Sequence, residues 1–209
     1  LQEKFAKELN EEGRMYLDRI IASAENMRMF IDNLLDFSRI TRVREPFSEV
    51  DLNNTLRQVK NDFEIVIEEP GTVIKADSLP KIDGNAAQLK QLFANIISNA
   101  IKFRRQNVKP EITINVTELT VEEKMQLGAA EGVYYRIAVC DNGIGFEPEY
   151  AKRIFEVFER LHGKSEYPGT GIGLAICKKI VAYHSGQLTA NNNVDYGACF
   201  NIVLPATQV

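Results

Sequence analysis

The 209-residue sequence has no tryptophan, only two histidines and only three cysteines. Cys140, Cys177 and Cys199 are widely spaced singles beside apolar residues. They read as buried thiols in a reducing compartment, not as a metal or disulfide framework. No apolar run approaches a membrane span and no signal peptide opens the chain, so a cytoplasmic location is expected. Membrane attachment is left to any upstream region, because the chain starts at Leu1 inside a helical pattern and reads as a piece of something longer. A basic surplus is missing too. The formal charge is -4 and the pI about 5.4, which argues against a generic nucleic-acid surface. Internal repeats and low-complexity tracts are absent.

What is present suits a soluble globular chain: 44% apolar and 26% charged residues. Residues 1 to about 12 read as the end of a helix, with Gly13 marking a short turn or weakening a continuing helix. Leu17, Ile20, Ala24, Met27, Ile31, Leu34 and Ser38 then step by alternating threes and fours, a heptad stripe widened by Ile21, Phe30 and Phe37. So broad a stripe suggests a helical hairpin that pairs with a second copy, and a homodimer through these helices is expected. Thr41 to Ser48, with Pro46, reads as a linker. Residues 1–44 are thus assigned to a helical arm and 45–209 to a second domain.

In that domain Asp51 caps a helix carrying Leu52, Leu56, Val59 and Phe63. Strands are expected at 72–76, 111–119, 133–140, 188–190 and 199–204. Helices are expected around Gln91–Phe103, from Pro148 through Leu161, and over Ile172–Tyr183. A polar connection at 120–132 has room for a helical turn. The order gives an α+β chain, a helical arm followed by a two-layer α/β sandwich.

Three stretches carry chemistry. On the helix around Asn95-Ile-Ile-Ser-Asn-Ala-Ile-Lys-Phe103, residues Gln88, Gln91, Asn95, Asn99 and Lys102 share a face opposite Leu89, Leu92, Phe93, Ile96 and Ile97. A carboxamide can offer oxygen to a divalent cation, and a lysine can reach a phosphate. Taken alone, the same face reads more readily as a solvated surface than as a site. Asp141-Asn-Gly-Ile-Gly145 follows a strand. Its carboxylate can accept from an exocyclic amine, and Gly143 and Gly145 permit close backbone approach. Gly169-Thr-Gly-Ile-Gly-Leu-Ala175 precedes a helix and presents backbone amides to an anion. It is neither a P-loop nor a dinucleotide fingerprint. Between the two glycine clusters, the segment holding His162 and Lys164 reads as a mobile lid.

In this order the elements resemble the histidine kinases of two-component signalling and, more widely, the ATPase superfamily shared with gyrase, the Hsp90 chaperones and MutL. Residues 95–103 look like the family's N box, 141–145 its G1 box, Phe155-Glu-Val-Phe158 its F box and Gly169-Thr-Gly-Ile-Gly173 its G2 box. The run from Tyr16 to Ile40 looks like the second helix of the dimerisation and phosphotransfer hairpin. Arg160 to Cys177 is especially similar to the phytochrome-like and PAS-linked branch. The resemblance implies a Bergerat fold that binds ATP and Mg2+. It implies Asn99 as metal ligand, with Asn95 supporting water or metal and Lys102 on phosphate. It also implies Asp141 on adenine N6, with Gly143 and Gly145 beside the base. Gly169, Thr170, Gly171, Gly173 and Leu174 would bind the nucleotide together with His162 and Lys164, and Phe155 and Phe158 would anchor the lid.

An upstream PAS or phytochrome-like sensor domain and a response-regulator receiver domain are the implied partners. Two departures stand out: Gly197 is the only firm match to the family's final glycine segment, and neither His162 nor His184 precedes the arm helix as a phosphoacceptor histidine would. Two rivals stay open, an ATPase of the same superfamily and a dimeric nucleotide-binding scaffold without kinase activity. The ATPase branches place a glutamate where this chain has Asn95, and an amide is no general base.

Overall fold

The computed structural model describes residues 10–40, 46–161, 169–192 and 197–208. Helix α1 (Glu11–Arg39) is a 29-residue arm, about 43 Å long at 1.5 Å per residue. Asn10 Oδ1 accepts the Gly13 N–H at 2.8 Å, a side-chain cap at the first turn. Gly13 therefore lies inside the helix and marks no turn. Glu11 and Glu12 begin the helix and Arg39 ends it, in the sense the helix dipole favours. Along the heptad stripe Ile20, Met27, Ile31 and Leu34 are exposed in the single chain. The arm's last turns do find partners: Lys179 Nζ donates to the Phe37 carbonyl at 2.6 Å, and Gln88 Nε2 to that of Ile40 at 3.1 Å. Residues 41–45, most of the expected linker, lie outside the described residues, as do 1–9.

The globular part begins with strand β1 (Ser48–Asp51), which pairs antiparallel with β3 (Lys81–Gly84). Each has four residues, too short to show alternation, and neither was expected. Asp51 caps α2 (Leu52–Asp62) by accepting the Asn53 N–H at 2.8 Å, and Leu52, Leu56 and Val59 are buried. A short helix, α3 (Glu64–Glu68), follows. Strand β2 (Val73–Ala76), helix α4 (Ala86–Lys102), strand β4 (Glu111–Glu118), helix α5 (Val121–Leu127) and strand β5 (Tyr134–Asp141) come next. Helix α6 (Gly173–Tyr183) leads to β6 (Gln187–Asn192) and β7 (Ala198–Pro205). The described residues form a five-stranded sheet in the order β2-β4-β5-β7-β6, with β2 parallel to β4 and the other pairs antiparallel. The buried faces of α2, α4 and α6 join Ile112, Ile114, Ile137, Val139, Ile202 and Leu204 of the sheet in one core. This is the helical arm and α/β sandwich expected.

Two expectations need correction. The helix foreseen from Pro148 to Leu161 is instead a pair of 3-10 turns, Pro148–Tyr150 and Arg153–Phe155. Glu156 turns extended and Phe158 takes a left-handed φ of 71°, which breaks any helical run. Ile154 and Phe155 still reach the core, so the apolar spacing reported burial correctly and periodicity wrongly. The second correction concerns the thiols. Cys140 and Cys199 are directly opposed on β5 and β7 and joined in a disulfide across 59 residues. Only Cys177 remains a free thiol, fully buried and pushed up to about 12 by that burial.

One buried polar joint fixes how α4 and α6 meet. His184, with no exposed surface, ends α6 and accepts the Asn85 N–H on Nε2 at 3.0 Å. That assigns the proton to Nδ1, which donates to the Ile180 carbonyl at 2.8 Å. Asn85 in turn caps α4. Burial holds the imidazole below the usual histidine range. A neutral histidine whose folded value is depressed stabilises fully above its unfolded value of 6.5, and this contribution is lost as pH falls towards the folded value. Between about pH 7 and pH 5 the wild-type denaturation midpoint should therefore fall more steeply than that of His184→Gln, whose amide does not titrate; parallel slopes would acquit His184.

Candidate functional site

The C-terminal half of α4, the end of β5 and the N-terminus of α6 enclose a cavity of about 290 Å³, close to the lower bound for small-molecule sites. Asn95, Asn99, Lys102, Asp141, Gly145, Gly169, Thr170, Gly171, Gly173 and Leu174 all line it. These come from the three stretches singled out in the sequence, now brought to one place. Gly143 does not line it, but a Cβ there would lie 2.5 Å from the Phe103 carbonyl oxygen, so the turn beside the cavity has no space for a side chain. His162 and Lys164 lie outside the described residues.

Groups of opposite charge line the cavity. Asp141 is 7% exposed and its Oδ1 accepts the N–H groups of Gly143 at 2.8 Å and Ala198 at 3.1 Å. Burial raises its carboxyl above the usual value in spite of those two donors. The apolar Phe146, Ile154, Leu174 and Phe200 share the lining. Lys102 lies 4.4 Å from the Phe103 ring centroid, and burial, reinforced by the charge of Arg160, depresses its ammonium. Arg160 donates to the Gly169 carbonyl, next to Lys102. Asn95 and Asn99 occupy the preceding two turns, and Asn95 Nδ2 donates to the Gly173 carbonyl at 3.3 Å.

Sequence reasoning missed several residues here. Arg160 stands in a quoted motif but carried no expectation, since a lone arginine after an apolar run reads as surface. Met29 and Asn33 also line the cavity, although they belong to the arm. Asn33 Nδ2 donates to Thr170 Oγ1 at 3.0 Å, and Phe30, one turn earlier, stacks on Phe158 at 4.8 Å. Phe158 is thus 49% exposed and anchored by the arm, whereas Phe155 is buried against Phe200.

Residues 84–208 match the family described as histidine kinase-, DNA gyrase B- and HSP90-like ATPases. The chain belongs to that family. It carries the ATP-binding catalytic domain of the histidine-kinase type. It is 33% identical to cyanobacterial phytochrome A of Nostoc sp. (strain PCC 7120) over 98% of its own length and 25% of that protein. It is 32% identical to the phytochrome-like protein Cph1 of Synechocystis sp. over 98% of its length and 26% of that protein. The chain therefore spans about a quarter of these relatives. Among solved structures it is similar to full-length ShkA in complex with AMPPNP, at 25% identity and a TM-score of 0.70, covering 96% of this chain and 40% of ShkA. Its fold also matches histidine kinase ThkA in complex with the response regulator TrrA, at 22% identity and a TM-score of 0.67, over 98% of this chain and 55% of ThkA.

Glycine at 197, the firm remnant of the family's last segment, has a plain steric reason. Its φ is +102°, and a Cβ would lie 2.1 Å from the Asp141 carbonyl oxygen. Gly197→Ala should lower stability by about 2 kcal/mol or more in chemical denaturation; an unchanged midpoint would contradict the contact.

Proposed function

We propose that this chain binds Mg2+-ATP in the cavity and positions the γ-phosphoryl group for transfer to a histidine, from which it passes to an aspartate of a response-regulator receiver domain. The observation carrying this reading is one cavity lined by a buried carboxylate, by apolar side chains and by Lys102 with Arg160. Asp141 accepts the adenine N6 amine, a hydrogen bond that favours its ionised form, while Phe146 and Phe200 flank the base. Lys102 and the amides of Gly169 to Gly173 face the phosphates and oppose the charge that spreads over their oxygens during transfer. Asn95, held by the Gly173 carbonyl, keeps the start of α6 against α4 and offers no carboxylate to activate water.

Among the described residues no group of three or more His, Cys, Asp or Glu is placed to hold a metal ion. That fits magnesium, which keeps several waters and arrives on phosphates needing one or two protein oxygens. Asn99, one turn before Lys102, lines the cavity with such an oxygen donor. When bound, the ion would offset the negative charge of the phosphates.

His184 is not the acceptor, because it is fully buried with both ring nitrogens hydrogen-bonded. His162, like His184, follows the arm helix in the sequence, whereas the family resemblance puts the acceptor before it, so the acceptor is assigned to polypeptide outside this sequence, on a hairpin of which α1 is one helix. The exposed Ile20, Met27, Ile31 and Leu34 then serve as the dimer seam of that hairpin. An upstream PAS or phytochrome-like sensor domain supplies the input.

ATP titration with Mg2+ tests the site. Asn99→Ala and Asp141→Ala should each weaken binding about tenfold or more, the loss of a hydrogen bond to a charged partner, with unchanged circular dichroism. Indifference to both substitutions would refute the assignment. Incubation with γ-labelled ATP should leave no acid-labile, hydroxylamine-sensitive phosphate on this polypeptide alone; such a label would overturn the placement of the acceptor.

A further inference from the structure

The mechanism makes no use of Cys140 and Cys199, yet they stand one residue behind the carboxylate end of the cavity. Cys140 precedes Asp141 on β5, and Cys199 follows Ala198 on β7. The next rung of the sheet is thus the contact in which Ala198 N–H donates to Asp141 Oδ1. Backbone fits tightly there. A Cβ on Gly197 would meet the Asp141 carbonyl oxygen at 2.1 Å, and one on Gly145 would meet the Gly197 carbonyl oxygen at 2.8 Å. Asp141, Gly145, Ala198 and Phe200 all line the cavity. These groups adjoin the rung at which the two cysteines oppose each other.

The two cysteines are also placed to react. Val139 is buried in the core, and strand alternation turns Cys140 to the opposite face, where it is half-buried and reachable. Cys199 is 8% exposed. Cys177 provides the contrast: no exposed surface, a thiol pushed up to about 12, and no partner cysteine.

We propose that Cys140 and Cys199 form a reversible thiol–disulfide site whose redox state sets how tightly the cavity holds the nucleotide base. The proposal rests on the nucleotide reading of the cavity. In the forward step a low-molecular-weight disulfide is the oxidant. The Cys140 thiolate, having lost its proton to solvent, attacks one of its sulfurs and expels a thiolate. The Cys199 thiolate then attacks Cys140 Sγ in the mixed disulfide and expels the second. The protein has lost two protons and two electrons, and the oxidant has become two thiols. Reversal needs two equivalents of the same thiol. Reduction removes the covalent tie between β5 and β7 at this rung. Without that tie the strands hold the Ala198–Asp141 contact and the seat of the base less firmly.

The test equilibrates the purified chain in oxidised or reduced glutathione, alkylates it under denaturing conditions and counts labelled thiols by mass. One label after oxidation and three after reduction are expected. ATP affinity with Mg2+ should be about threefold or more weaker in the reduced form, the low end of coupling between groups in contact. The double variant Cys140→Ser with Cys199→Ser should bind equally in both buffers. Three labels in both buffers, or one and three labels with equal ATP affinity, would overturn the proposal. A disulfide that forms while neither form binds ATP would overturn the nucleotide reading and this coupling together, a result distinct from the other two.

Discussion

The site depends first on the burial of one face of α4. Leu89, Leu92, Phe93, Ile96 and Ile97 have no exposed surface, and Ala100 and Ile101 have almost none. Each large side chain gains about 1.5–3 kcal/mol from that burial. Turning the helix by one residue would bring several of them into water, a cost of about 10 kcal/mol, comparable with the whole net stability of a domain. The rotation of α4 is therefore not adjustable. Since Asn95, Asn99 and Lys102 share the opposite face, their direction is decided by side chains that never touch a ligand. The His184–Asn85 joint adds a constraint along the axis, because it ties the start of α4 to the end of α6.

Asp141 and Lys102, which both line the cavity, are pushed towards neutrality, Asp141 upward and Lys102 downward, chiefly by burial. A ligand that brings a hydrogen-bond donor to the carboxylate and negative charge to the ammonium favours the charged form of each. Perturbed groups of this kind are common at functional sites.

Much of the fold and the site could be read from the sequence because both rest on local patterns. The face of α4, the strand before Asp141 and the glycine cluster before α6 declare themselves within a few residues. Ten of the expected site residues do line the cavity. What stayed hidden was set by distant partners. Strands β1 and β3 are four residues each and gain their order from one another and from distant partners, as in the Asp83 N–H donating to the Ala206 carbonyl at 2.8 Å. The apolar spacing around Ile154, Phe155 and Phe158 looked helical, but Phe158 N–H is taken by the Gly171 carbonyl, which holds a turn in place of a helix. The opposition of Cys140 and Cys199 follows from strand register, and no local feature of either cysteine announces it. Met29 and Asn33 could not be tied to the cavity, because a heptad stripe describes what a helix pairs with and not what its ends lean on.

Phe30 and Asn33 are separated by a single helical turn of the arm, yet they hold two residues that are distant from each other in the sequence, Phe158 and Thr170. Phe158 is also the residue with a left-handed backbone, a conformation that persists only where surroundings enforce it. The arm therefore forms part of the rim of the cavity, and the shape of the opening is written partly in residues more than a hundred positions away.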